Sequence, residues 1–168
     1  MSYPEKKAVV SVFAGTAVLV SYCMFVYGKV TSGEAAGDNL KFWAGTMLLF
    51  IVVGIVASIV IQIVFHILLS VSIAVREQIQ TGNSDDKRIE KEIAAEMVED
   101  EMDKLVELKS MRVAFIIAGL GFVAALIYAY LGFSVAVMLN ILFISFSAGS
   151  LLEGVSQLYY YRKGVAHG

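Results

Sequence analysis

Residues 42–75 contain no formally charged side chain, and neither do residues 113–152, giving uncharged runs of 34 and 40 residues. A transmembrane helix needs roughly 20 apolar residues to cross about 30 Å of hydrocarbon. The second run is therefore long enough for two crossings, and the first for one long crossing. Lengths of this kind exceed what a buried helix in a water-soluble domain requires.

Composition agrees. Of 168 residues, 58% are hydrophobic and 17% charged, and the mean hydropathy is +0.76. Little is left for a separate soluble domain, so residues 1–168 are expected to form a single integral membrane domain. A net charge of -2 argues against direct nucleic-acid binding, which calls for clustered Lys and Arg. The bilayer is the partner that composition implies.

Residues 8–27 form a third uncharged stretch, of 20 residues, behind the basic pair Lys6 and Lys7. The apolar core of a signal peptide is shorter, about 7–15 residues, and no A-x-A cleavage site follows, so a retained helix is expected. The predicted fold is all-α and polytopic, with four transmembrane helices at about 8–28, 42–70, 112–131 and 134–159.

In this arrangement 11 of the Lys and Arg residues fall on one side and 2, Lys29 and Lys41, on the other. The positive-inside rule then places both termini and the 76–112 connection in the cytoplasm, with the spans in the plasma membrane. Phe42 and Trp43 at one boundary, and Tyr159, Tyr160 and Tyr161 at the other, suit the headgroup layer. Cys23 stands alone, so no intrachain disulfide is possible, and it is expected to be a packing residue.

The 28–41 connection holds Thr31, Ser32, Gly33, Gly37, Asp38 and Asn39, which break helices and keep backbone groups wet. In the 131–134 connection Gly132 suits a helix end and Ser134 a helix start, predicting a tight antiparallel hairpin. The second span is over-long: 34 residues rise about 51 Å as a helix, more than tilt absorbs. It is expected to continue towards Gln80 and end near Gly82 and Asn83. Ser84, Asp85 and Asp86 suit the start of another helix.

Ile89, Ile93, Met97, Val98, Met102, Leu105 and Leu108 recur mainly at spacings of three and four, so residues 84–110 read as an amphipathic cytoplasmic helix running towards span three. Its apolar stripe has three possible covers: the extension of span two, the same helix in a second copy, or the membrane surface. Glu99, Asp100, Glu101, Asp103 and Glu107 would be repelled by anionic lipid, which favours a protein contact through this acidic face. The same carboxylates match no dedicated cation loop, and Lys104 and Lys109 interleave with them, so a solvated face is expected and no metal. No phosphate-binding loop, nucleophile elbow, haem motif or zinc spacing occurs, and neither a cofactor nor enzymatic activity is expected.

Polar residues interrupt the spans in two places. Gly54, Ser58, Gln62, His66 and Ser70 recur every four residues along one face of span two, where polar groups act as helix-to-helix contacts or line a water path. Span four carries Asn140, Ser147, Ser150, Glu153, Gly154 and Gln157. Glu153 is the one acidic residue inside a predicted span, and such groups are costly at membrane depth. Arg112 and His66 fall at a similar level, so Glu153 has three readings: an ion pair with Arg112, a proton-exchanging pair with His66, or a carboxylate snorkelling into water. The candidate intramembrane polar site is thus Gln62, His66, Arg112, Asn140, Glu153 and Gln157.

The segment Glu99-Asp100-Glu101-Met102-Asp103-Lys104-Leu105-Val106-Glu107-Leu108-Lys109-Ser110-Met111-Arg112 resembles the signature of an uncharacterised family of small prokaryotic four-span membrane proteins, which carry an Asp-Glu-Arg-Asp-like segment before the third span. Asp100, Glu101 and Asp103 match, whereas Met102 stands where the family has Arg. The end of the chain, from Val137-Met138-Leu139-Asn140 to Tyr159-Tyr160-Tyr161-Arg162-Lys163-Gly164, is also similar to that family. Some such proteins are encoded beside a small helix-turn-helix regulator, so the resemblance implies membrane-linked control. It implies no catalytic residues.

The functional expectation is a nonenzymatic membrane protein that self-associates, with a dimer preferred, and acts as a regulator or scaffold on a cytoplasmic protein partner through its cytoplasmic helix. The alternative is a small channel or proton-coupled transporter using the polar faces of spans two and four.

Overall fold

The computed structural model describes residues 3–33, 39–81 and 100–164. Among these are four helices: α1 (Tyr3–Thr31), α2 (Leu40–Thr81), α3 (Glu101–Tyr130) and α4 (Val135–Lys163). Each is long and apolar enough to cross a membrane, and each expected span falls on one of them to within a residue. The expected all-α architecture, with four helices apolar enough to span a membrane, is therefore the one observed among the described residues. Large apolar side chains such as Phe13, Ile55, Phe115 and Phe146 point outward, as they must where lipid rather than water surrounds a bundle.

α4 is the central element: it runs antiparallel to α3 as a hairpin, lies along α1, and touches α2. Gly132 closes α3 with φ +77°, a left-handed conformation that a side chain would strain, while the Phe133 amide donates to the Tyr128 carbonyl at 3.3 Å. Ser134 opens α4 as expected, but its side chain makes no capping bond to the helix. Along the hairpin the two backbones come close. A Cβ on Gly149 would sit 2.9 Å from the Ala114 carbonyl oxygen, and one on Gly121 would overlap Ser145. In lipid, where no hydrophobic effect draws helices together, small residues of this kind supply the packing.

α1 docks on the opposite side of α4, where Leu151 lies over Gly15 and Val12 over Gly154. Glu5 and Arg162 approach to 4.0 Å where the chain ends meet. α2 begins at Asn39, whose Oδ1 accepts from the Phe42 amide at 3.1 Å. Its first turns bury Trp43, Met47 and Phe50, and the last two pack with Tyr22 as a core cluster, supported by Val18, Val26, Leu139 and Phe143. Beyond Phe50 most of the helix faces outward.

The over-long second span is real. α2 has 42 residues, about 63 Å of helix against about 30 Å of hydrocarbon, and it reaches Thr81 as expected. The amphipathic helix expected over 84–110 is corrected at one point. Asp100 is extended, with φ -80° and ψ 175°, and caps a new helix starting at Glu101. A single helix therefore does not run through 84–110. The Asp103 amide donates to Asp100 Oδ1 at 2.7 Å and the Asp100 amide to Asp103 Oδ2 at 3.1 Å, a reciprocal box at the start of α3. From Glu101 the helix does continue unbroken into span three. Residues 84–99, the rest of the expected helix, lie outside the described residues.

Candidate functional site

The candidate polar residues separate into three groups. The first joins α1 to α4. The Tyr22 hydroxyl donates to Asn140 Oδ1 at 2.7 Å, and Asn140 Nδ2 donates to the Ala136 carbonyl at 2.8 Å. The amide is thereby satisfied within the bundle. Tyr22 is 1% exposed, and its ring stacks on Phe143 at 4.2 Å and meets Phe50 edge-on at 5.2 Å. Sequence reading picked out Asn140 but not Tyr22. Nothing local marks that tyrosine, one aromatic residue within an apolar run, as the partner of a residue 118 positions away.

The second group borders a groove between α1, α2 and α4 with a volume of about 820 Å³. α2 meets the bundle through Met47 and Phe50 and then splays away, which opens the space. Phe50 and Phe143 line its blind end, whereas Lys7, Ser11 and Gln62 lie towards the other. Of the α2 seam, Gly54, Ser58 and Gln62 line the groove together with Ser147, Ser150 and Gly154 of α4, while His66 and Ser70 do not. The Ser58 hydroxyl donates to the Gly54 carbonyl and the Ser70 hydroxyl to the His66 carbonyl, each at 2.9 Å. These serines are satisfied by their own helix. The Gln62 and His66 side chains are exposed.

The third group lies where α3 begins and α4 ends. Glu153 and Gln157 are half-buried and Arg112 is exposed. Burial dominates the surroundings of Glu153, and Glu107 of α3, a second carboxylate, is near enough to add like-charge repulsion. Among the described residues Glu153 forms no ion pair with Arg112 or His66. Val106 and Ser110, one turn apart on α3, are wholly buried here, and the Ser110 hydroxyl has no hydrogen-bond partner.

Of the acidic residues expected to contact a partner, Asp100 and Asp103 are engaged in the capping box, Glu101 is exposed, and Glu99 lies outside the described residues. Among the described residues no three His, Cys, Asp or Glu side chains converge on a point where a metal ion would sit. Lys163 lies 5.0 Å from the centroid of the Tyr159 ring, a cation beside the aromatic belt at the end of α4. No protein-family model, curated protein or solved structure matches the chain.

Proposed function

We propose that this is a nonenzymatic membrane protein that forms a homodimer through the end of α2 and serves as a membrane-linked scaffold or regulator of a cytoplasmic protein. One observation carries the dimer. Ile67, Val71, Val75 and Ile79 follow each other at intervals of four along α2, and all are at least half exposed. Ile67 closes the expected span at 42–70, and Val71, Val75 and Ile79 continue the stripe beyond it. Starting from Phe42, about 20 residues of helix consume the hydrocarbon thickness, which leaves the last turns in the headgroups and beyond. Large apolar side chains repeating on one helix face in water mark a helix-to-helix contact.

The charge distribution supports an orientation with both chain ends and the α2–α3 connection in the cytoplasm of a plasma membrane. The exposed Glu101 and Glu107 are then available to a partner on that side. The resemblance to small four-span proteins encoded beside regulators agrees with this reading.

Mass photometry of the full chain in lipid nanodiscs tests it. Wild type should run as dimers, and Val71→Glu with Val75→Glu should run as monomers with unchanged helicity. A monomeric wild type, or dimers indifferent to both substitutions, would refute the dimer. For the partner, charge reversal at Glu101 and Glu107 should abolish specific cytoplasmic contacts in a pull-down.

One observation favours a second reading, the channel or proton-coupled transporter: Gln62 of α2 shares a groove with Ser147 and Ser150 of α4. Proton flux into liposomes that disappears with Gln62→Leu would support that reading. Absence of flux from the wild type would remove it.

A further inference from the structure

The groove between α1, α2 and α4 has a shape and polarity that the dimer does not use. Along α1 it extends from Lys7 to Leu19, a rise of about 18 Å. That is close to the depth of a single leaflet, since half the hydrocarbon thickness is about 15 Å. On α2 it extends from Met47 to Gln62 and on α4 from Leu139 to Gly154, about 22 Å each, with Phe50 and Phe143 near one end beside buried Tyr22. Its walls are mostly apolar or small; of the four serines that line it, Ser11, Ser58, Ser147 and Ser150, Ser58 has turned its hydroxyl back onto its own helix.

Its other end is different. Lys7 borders the groove with an exposed side chain and forms no ion pair or hydrogen bond among the described residues. Gln62 lies across from it on α2, its amide likewise without a hydrogen bond. A cation and an amide at one end of a largely apolar trough complement a molecule with an anionic phosphate head and a hydrocarbon tail.

The groove holds about 820 Å³. An extended acyl chain is slender enough, and the volume falls in the range of sites for small organic ligands, about 300–1,000 Å³.

We infer that the α1–α2–α4 groove binds one acyl chain of an anionic phospholipid, with the lipid phosphate at Lys7 and Gln62 and the chain end against Phe50 and Phe143. Bound there, the lipid supports the splayed half of α2, which has little protein contact of its own.

The test is native mass spectrometry of the full chain released from detergent micelles containing equal amounts of phosphatidylglycerol and phosphatidylcholine with identical acyl chains. Wild type should carry phosphatidylglycerol preferentially. Lys7→Gln should lower that preference about fivefold, the effect of one lysine beside an anionic headgroup. Gly54→Leu should eliminate adducts of both lipids. A Cβ at Gly54 meets nothing within 4 Å, so the added side chain enters the groove rather than the protein. Ser58→Leu fills the same space from the next turn and should act alike if the first variant loses its helicity.

Equal adducts of the two lipids, or a preference unchanged by Lys7→Gln, would overturn the headgroup assignment. Retained adducts in both groove-filling variants would overturn the groove. If those variants instead dissociate the oligomer without changing bound lipid, the occupant is a second copy of the chain and the inference is wrong. The dimer substitutions Val71→Glu and Val75→Glu should leave the lipid adducts intact, so this result and that for self-association are read separately.

Discussion

Tyr22 on α1 hydrogen-bonds Asn140 on α4 through a 2.7 Å contact, and the bond lies beside the aromatic cluster that also anchors α2. Three helices therefore meet around one polar pair. Tyr22→Phe keeps the ring but removes the donor, leaving Asn140 Oδ1 without its partner. Interhelical hydrogen bonds in membranes contribute about 0.6 kcal/mol on average and up to about 1.7. The substitution should cost about 1 kcal/mol in a reversible unfolding titration in mixed micelles. A Tyr22→Phe protein as stable as wild type would show that the bond contributes nothing. Tyr22→Ala should cost more, because it also empties the core.

The α3–α4 hairpin should be far less tolerant. A Cβ on Gly149 meets backbone at Ala114, which has no rotamer with which to yield. Gly149→Val should force the helices apart and cost about 1–3 kcal/mol, the usual range for overpacking. Gly119 provides the control, since a Cβ there meets nothing within 4 Å, and Gly119→Ala should be neutral or slightly stabilising through helix propensity. Thermal denaturation of the two variants in the same detergent compares them directly. Equal melting temperatures would mean that the close approach is not a constraint.

These two sites mark the boundary of what the amino-acid pattern reveals. The helices, the hairpin at Gly132 and the overshoot of α2 follow from local terms: uncharged length, turn chemistry, and rise per residue. Tyr22 and Asn140 meet only because α1 and α4 lie antiparallel at a particular rotation, and no spacing within either helix specifies that rotation. Ala114, Gly121 and Ala125 with Ser145 and Gly149 are a readable small-residue pattern, yet the polar residues of the spans drew the attention instead. Asp100 and Asp103 were visible as charges; their three-residue spacing also fits a capping box, and that use sets where α3 starts. Glu153 was visible as an anomaly. Its neighbour was not, because Arg112 and Glu107 lie less than two turns apart on α3 and only the helix rotation selects between them.

Removing the α3 cap should have a local effect. Asp100→Ala deletes the acceptor for the Asp103 amide and typically costs a helix about 1 kcal/mol. Hydrogen exchange of the amides of residues 101–104 should accelerate about fivefold, while amides in the spanning part of α3 should be unchanged. Asp100→Asn, which keeps an acceptor, should behave as wild type. Uniform exchange among all three proteins would indicate that the box has no energetic role.

The buried hydroxyl of Ser110 offers a prediction of the opposite sign. It is fully enclosed and has no hydrogen-bond partner, so the folded protein bears its desolvation without compensation. Ser110→Ala removes the group and leaves almost the same shape. Stability should rise by up to about 1 kcal/mol. A loss of 1 kcal/mol or more in the same titration would mean that the hydroxyl is bonded in the folded protein.

Among the described residues Glu153 makes no ion pair with Arg112 and lies within reach of the Glu107 charge, so the two α3 residues should respond differently to substitution. Glu107 is exposed, so Glu107→Lys replaces a like charge with an opposite one near the surface, where such a change contributes a few tenths to about 1 kcal/mol. The melting temperature should rise modestly at low salt, and the gain should shrink at high ionic strength because exposed charges are screened. In the double variant with Glu153→Gln the gain should disappear, since the introduced ammonium group then has no carboxylate to meet. Arg112→Gln should change stability by less than about 0.5 kcal/mol, as for a surface residue without a partner. The reverse pattern, with Arg112→Gln strongly destabilising and Glu107→Lys neutral, would restore the Arg112–Glu153 ion pair.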